Sequence, residues 1–405
     1  MSGPDVHPAV RVRHWLLNKA SDDTPRQKHA RPFPSRKLLS RGLFDNAKVR
    51  VLDSQTMRNF VRVATVIAAV LLVTTAIVAG QAVGSASGVS GPAKLNPKAD
   101  INAPGFPPPY WAYPVNLPDY VAPPDKGEKM RVPNSNVTYT LTQIRDFFSP
   151  PDWHPEDHPA MPPIIGTGRK PQVWACGYCH LPTGWGKPEN ANVSNLPEPY
   201  FMQTVADFKN GTRRGTVPDI LPHSGMVAAI MPTTEAEVRE AYQYFAKNKL
   251  TMQRYKVTEA TMVPKTKVQG SWVLAPIVGT GEGMEPIGQR IIEVPNDPIL
   301  TTLRDWRIGF TTYVPPGSLK KGEALVTTGG GKTVQCTICH GSDLRGIGPV
   351  PPIAGRSAIY TFRQLYDFKD GARHGAWSAM MKPVVQNLTL DDMIAITAYT
   401  SSRMP

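Results

Sequence analysis

The apolar positions of this chain change rhythm from one stretch to the next, and the changes mark its parts. Up to residue 62 no helical or strand period is sustained, and RPFPSRKLLSRG reads as part of a disordered tail. Residues 63–80, VATVIAAVLLVTTAIVAG, form a run of 18 positions without a charge, just enough for a helix to span a bilayer at roughly 1.5 Å per residue. Residues 81–135 read as a linker, since GFPPPYWAYPVNLPDYVAPPDKG is too rich in proline for a helix or a central strand. Helical candidates return farther on. TTEAEVREAYQYFAKN and LTLDDMIAITAYTSS each open on a threonine, Thr234 and Thr389, with an acid three residues later, Glu237 and Asp392. That spacing predicts a capping box at the start of each helix.

Composition adds scale, and charge adds direction. The 405 residues, 41% of them hydrophobic, suffice for two ordinary domains, while 42 prolines and 33 glycines imply long irregular connections. The charge is uneven: residues 1–62 hold a net +8 of the overall +13. The basic character is thus a property of the tail, and no nucleic-acid partner is expected. Arg50, Arg58 and Arg62 lie on the N-terminal side of the apolar run, which orients residues 1–62 to the cytoplasm and exports the chain beyond about residue 81. The run is read as an uncleaved anchor; a cleavable signal starting at Met57 is the alternative, with the same topology for the remainder.

The four cysteines carry the chemistry. They fall into CGYCH at 176–180 and CTICH at 336–340. C-x-x-C-H is the attachment signature of c-type haem: Cys176, Cys179, Cys336 and Cys339 would each add to a vinyl group, and His180 and His340 would lie beneath the two irons as proximal ligands. A four-cysteine zinc site, a redox thiol pair and ordinary disulfides are the other readings, but none requires a histidine directly after both pairs.

The two motifs lie 160 residues apart, and DFKNGTRRG (207–215) matches DFKDGARHG (367–375) at the same offset, as do Tyr200 and Tyr360. This is a duplicated domain. The final helices correspond at an offset of 155, so the second copy lacks five residues just before its last helix. At that offset Met226 maps onto Met381, whereas Met231 meets Gln386, Met380 meets Gly225, and His223 meets Ser378. Met226 and Met381 are therefore the expected distal ligands, a thioether being soft and neutral and raising the potential of a haem paired with histidine. Core packing remains the alternative for both, and His223, Met231 and Met380 remain competing ligands.

Together these residues resemble the class I cytochromes c, particularly two-haem members built from a duplicated small helical domain. The resemblance covers about 136–255 and 310–405 and runs through LKKGEALV, CTICH, GIGPVPPIAG, IYTFRQLYDFKDGARHG, AMMKPVVQNL and DDMIAITAYTSS. It implies a leading helix at LKKGEALV, with YTLTQIRDFF (139–148) as its weaker counterpart in the first copy. It also implies a proline carbonyl, from Pro351 or Pro352, on the proximal imidazole; ENANVSNLPEPY in the first copy has no proline at that place.

The expected fold class is all-α: two tandem class I cytochrome c-like helical domains with long irregular loops, preceded by one transmembrane helix. The division is a cytoplasmic tail at 1–62, a membrane or signal segment at 63–80, a Pro-rich linker at 81–135, a first haem domain at 136–262, a connector at 263–315 and a second haem domain at 316–405. A short hairpin is expected around QRIIEVP in the connector. His154 and His158 are expected at the surface or on propionates, because Pro155 and Pro159 prevent the helix that would pair them on a metal. Arg213, Arg373, Lys209 and Lys369 are read chiefly as exposed helix ends.

The expected cofactors are two covalently bound haem c groups, and the expected function is single-electron transfer in a periplasmic or membrane-associated respiratory chain. Donors would be a quinol-oxidising complex or a dehydrogenase, and acceptors an oxidase, a reductase or a soluble cytochrome. An electron-transfer subunit of a dehydrogenase complex and a di-haem oxidoreductase such as a peroxidase are the alternatives.

Overall fold

The computed structural model describes residues 109–113, 120–217, 220–249, 251–269, 273–276 and 283–405. The basic tail and the apolar run at 63–80 lie outside the described residues. Among the described residues no helix is long and apolar enough to cross a membrane.

The first lobe contains α1 (Leu141–Ile144), α2 (Pro163–Gly166), α3 (Cys176–His180), α4 (Glu198–Lys209), α5 (Leu221–Ile230) and α6 (Glu235–Phe245). The helix expected over 139–148 shrinks to the single turn of α1. Thr140 and Gln143 cap its start reciprocally, but the Asp146 carboxylate then accepts the Phe148 amide at 2.8 Å, turning the backbone out of the helix. Beside α6 it is α2 that packs. Ile164 and Ile165 share a buried cluster with Ala241, Tyr244 and Phe245. The capping box expected on α6 is present, with Glu237 closing on Thr234.

The connector departs from the all-α expectation. Together with the last residues of the expected first domain it holds β1 (Tyr255–Glu259), β2 (Met262–Pro264), β3 (Thr266–Gln269), β4 (Val273–Pro276), β5 (Met284–Pro286), β6 (Ile292–Pro295), the short α7 (Pro298–Thr302) and β7 (Phe310–Val314). The order β1-β7-β6 makes one mixed sheet, parallel between β1 and β7 and antiparallel between β6 and β7. The hairpin expected around QRIIEVP does not form, because Ile292 pairs with Tyr313 across a long connection. The reason is visible in β7, whose Phe310, Thr312 and Val314 are buried in strict alternation. The buried Glu293 carboxylate accepts from Thr312 Oγ1 at 3.0 Å and from the Ala358 amide at 2.7 Å, and Ser357 Oγ also donates to it. An acid at a helix N-terminus is well placed against the dipole, and this one ties the sheet to the second lobe.

That lobe contains α8 (Ser318–Thr328), α9 (Thr337–His340), α10 (Ala358–Asp370), α11 (Ser378–Val385) and α12 (Leu390–Ser402). The first and last cross at Gly322, where an added Cβ would lie 2.0 Å from the Ala395 carbonyl oxygen. Backbone therefore touches backbone at the crossing, and LKKGEALV is the leading helix expected. Part of the proline-rich stretch read as a tether also belongs here: Ala112 and Tyr113 are buried, the Trp111 ring sits 4.6 Å from that of Phe362, and Arg363 donates to the Ala112 carbonyl at 3.0 Å. Aromatic burial outweighs the linker composition at this point.

Asp392 closes the capping box of α12 on Thr389. Its buried carboxylate also meets Lys321 and Lys332, each at 2.7 Å. Burial opposes its ionisation, but the two lysines and the Thr389 bonds outweigh burial and hold the carboxyl far below the usual carboxylate range. A depressed folded pKa contributes stability above the unfolded value near ~4, and the contribution is lost as pH falls through the folded value. Asp392→Asn should therefore destabilise the second lobe at neutral pH by about 3 kcal/mol and flatten its acid limb below pH ~4. Urea titrations across pH check this; an unchanged acid limb would refute it.

Candidate functional site

Each C-x-x-C-H stretch folds as one helical turn, α3 and α9, which sets its two thiols on one side with the histidine next in line. Cys176, Cys179 and His180 line one cavity of about 700 Å³ together with Cys336, Cys339 and His340. His180 Nδ1 donates to the Ala191 carbonyl at 2.9 Å, and His340 Nδ1 to the Pro351 carbonyl at 2.7 Å. The acceptor stands eleven residues after the histidine in both copies. Pro351 rather than Pro352 is therefore the partner in the second copy, and Ala191 serves in the first without being proline. The acceptor is a main-chain oxygen, so side-chain identity did not reveal it. A proton fixed on Nδ1 leaves Nε2 with its lone pair, the tautomer a metal needs. Burial lowers both imidazole pKa values, chiefly by desolvation.

Met226 and Met381 line the same cavity. Met226 packs beside Phe201, Met202 and Phe208, and Met381 packs against the second lobe's core. Both stand on helices, α5 and α11, rather than on loops. Met231 is 51% exposed, and Met380, at the cavity rim, 62%. His223, one turn before Met226, also lines the cavity, but its Nε2 lies 3.3 Å from the Arg213 carbonyl, which commits the ring toward the seam between the lobes. Lys209 and Lys369 reach main-chain carbonyls, Thr233 and Gln386, at the far ends of the methionine helices, the second at 2.8 Å.

Arg213 and Arg373 are not the exposed helix ends expected. They pair across the seam in an isolated antiparallel bridge. Arg213 donates to Gln364 Oε1 at 3.0 Å and lies 3.4 Å from Tyr360 Oη, while Arg373 reaches Tyr200 Oη at 3.2 Å. The two halves of the repeat thus exchange equivalent contacts about a local two-fold. Asp367 accepts from the Thr216 amide at 2.9 Å, and Asp207 stands 3.4 Å from the Ala376 amide. Burial opposes ionisation of Tyr200, yet the Arg373 and Arg213 guanidiniums hold its phenol well below its ordinary value.

His154 and His158 are not surface groups, and neither lines the cavity. His154 is fully buried, 3.3 Å from Asp305 and edge-on to Trp306. His158 lies 3.1 Å from Asp152 and 3.0 Å from Tyr244 Oη. Trp153, whose indole donates to the Leu303 carbonyl at 2.7 Å, and Trp306 bring the connector over them.

The residues present fit haem c. The cavity wall is mainly apolar, each copy offers one carbonyl-oriented imidazole and one thioether, and the cationic seam suits two carboxylates. The four thiols are free, and burial pushes Cys176 up to about 12 and Cys336 up to about 11, the reverse of a reactive thiolate pair. Among the described residues no three His, Cys, Asp or Glu side chains gather to hold a bare metal ion, so the pairs do not form a four-cysteine zinc site.

Known proteins match along these lines. The family model described as Cytochrome c matches residues 319–403. Cytochrome c-554(548) of Halomonas halodenitrificans is 38% identical over 73 residues, covering 18% of this chain and 88% of that protein. Cytochrome c4 of Stutzerimonas stutzeri is 33% identical over 134 residues, 28% of this chain and 61% of that protein. A protein named thiosulfate dehydrogenase electron acceptor, from Thiomonas intermedia, is 23% identical over 244 residues, 60% of this chain and 84% of its own length.

Proposed function

The chain belongs to the cytochrome c family, and from that premise we propose that it is a di-haem electron carrier with one haem c in each lobe. The observation that supports this best is the repetition of one donor set: a C-x-x-C-H turn, a histidine whose Nδ1 is fixed by the carbonyl eleven residues on, and a repeat-equivalent methionine on the same cavity. Bound haem c supplies a one-electron ferric/ferrous couple.

The chain's own residues do the rest. Cys176 and Cys179, and Cys336 and Cys339, would hold the groups as thioethers. His180 and His340 present Nε2, and Met226 and Met381 would complete the two iron environments and leave no position for a substrate. Arg213 and Arg373 supply positive charge for the propionates, and the apolar walls exclude water, which favours transfer with little reorganisation. Met226 is preferred over His223 because the His223 imidazole is turned to the Arg213 carbonyl.

The name of the Thiomonas relative favours a dehydrogenase as donor. We place the haem lobes on the periplasmic side of a membrane, held by residues 63–80 or released by their cleavage, from the charge pattern alone. The test is stoichiometry: the pyridine haemochrome of the purified chain should give two haems per polypeptide, and Cys336→Ala/Cys339→Ala should give one. A single haem in the unaltered chain would end the di-haem reading.

A further inference from the structure

The loop that follows each C-x-x-C-H turn is built the same way in both lobes. Its start is fixed by the Gly186 amide, which donates to the His180 carbonyl at 3.0 Å, and by the Gly346 amide on the His340 carbonyl at 2.7 Å. Farther on, the Val193 amide donates to the Gly184 carbonyl at 2.8 Å and the Ile353 amide to the Leu344 carbonyl at 2.9 Å. Between those bonds lie Ala191 and Pro351, the acceptors of the two histidines. Every one of these pairs keeps the 160-residue offset. Each acceptor carbonyl therefore sits in a loop closed by its own bonds on either side.

One side chain breaks the symmetry. Arg356 Nε donates to the Pro352 carbonyl at 2.6 Å, and its Nη1 donates to the Asn192 carbonyl at 2.5 Å. Asn192 and Pro352 are repeat-equivalent, and each directly follows a histidine's acceptor. A single planar guanidinium thus spans the two lobes and holds the next peptide of both loops. Arg356 is buried, where charge-assisted bonds from a rigid fork are little weakened by water. On α10, Arg363 donates to the Pro188 carbonyl of the same lobe 1 loop at 2.7 Å. Lobe 1 has no equivalent of either arginine. At the 160-residue offset Arg356 corresponds to Leu196 and Arg363 to Gln203, whose amide donates to Asp207 within α4 at 2.8 Å.

We propose that Arg356 is a positioning residue for both proximal histidines: by holding the peptides beside their two acceptors, it ties the orientation of both imidazoles to one side chain of lobe 2. This deepens the di-haem carrier reading and rests on it. Two effects of opposite sign follow. A carbonyl held firmly on Nδ1–H makes the imidazole a stronger donor through Nε2, which favours ferric iron. The buried positive charge, one peptide beyond each acceptor, disfavours the same ferric state. The fork and the charge can therefore be told apart by changing them separately.

The test uses the full haem-loaded chain and reads amide hydrogen exchange together with the potential of each haem. Arg356→Lys keeps the charge but replaces the fork by a single nitrogen. Exchange of the Val193 and Ile353 amides should quicken together, by about tenfold or more, with the amides inside α6 and α12 unchanged. Both potentials should rise, because a looser acceptor leaves each imidazole a weaker donor. Arg356→Gln removes the charge as well. It should quicken the same two amides and instead lower both potentials, by about tenfold in the ferrous-to-ferric constant, which is about 59 mV for one electron.

Quicker exchange at Ile353 alone would confine Arg356 to its own lobe and overturn the proposal. A change of potential with both amides as protected as before would do the same, since it leaves only a charge. Quickening throughout α6 and α12 would also overturn it, since it leaves only stability. Arg356→Lys decides among these outcomes by itself if Arg356→Gln does not fold. A single haem per unaltered chain would end the di-haem reading and the proposal with it, whereas two haems with an unmoved Val193 amide would end the proposal alone.

Discussion

Replacing Met381 by alanine should abolish the near-infrared thioether-to-iron charge-transfer band of one haem and lower that haem's potential by about 0.2 V, inside the roughly 0.8 V range that axial ligands span. The physical cause is the loss of a neutral, soft donor that favours ferrous iron. Met226→Ala should do the same to the other haem, leaving the first loss untouched in the double variant. Met231, exposed and away from the cavity lining, should tolerate alanine with no spectral change. Potentiometric titration with near-infrared detection separates the two haems. Should His223→Ala rather than Met226→Ala remove the lobe 1 signal or change its ligand field, the assignment there would pass to histidine.

Gly322→Ala should destabilise the second lobe by about 3 kcal/mol, although it adds one methyl group and improves helix propensity. At this position the new Cβ would sit 2.0 Å from the Ala395 carbonyl oxygen and 2.8 Å from Tyr399 Cβ. Neither is the end of a flexible side chain, so α8 and α12 must part, and the core of Leu325, Val326, Ile394 and Ala398 parts with them. Denaturant unfolding followed at each haem's own absorbance should show lobe 2 losing its cooperativity first. A variant as stable as the parent would mean the helices do not cross at this contact.

The sequence carries everything that short spacings encode. Two C-x-x-C-H frames, one repeat at two offsets, and two threonine-acid caps announce attachment sites, a duplication and the starts of α6 and α12. The caps hold in the structure because a capping box is closed within four residues. The 155-residue offset singles out Met226 and Met381 before any packing is known, and the structure brings both to the cavity that holds the two cysteine-histidine turns.

What tertiary structure decided lies in contacts between distant segments. Residues 255–259, before the connector, pair with 310–314 at its end, so no local alternation announces their partner. Arg213 and Arg373 look like helix-end charges until folding brings them together at a two-fold seam. The acceptor for His180 is a backbone oxygen on an alanine, and every residue type has one. Arg254 and Arg304, distant from α3 in the chain, fold back to donate to the Gly186 and Tyr178 carbonyls. By itself the sequence singled out the atoms proposed to carry the chemistry, because covalent spacing fixes thiol, imidazole and cap geometry within one turn. Which of those atoms are buried or paired was decided only when segments distant in the chain came together.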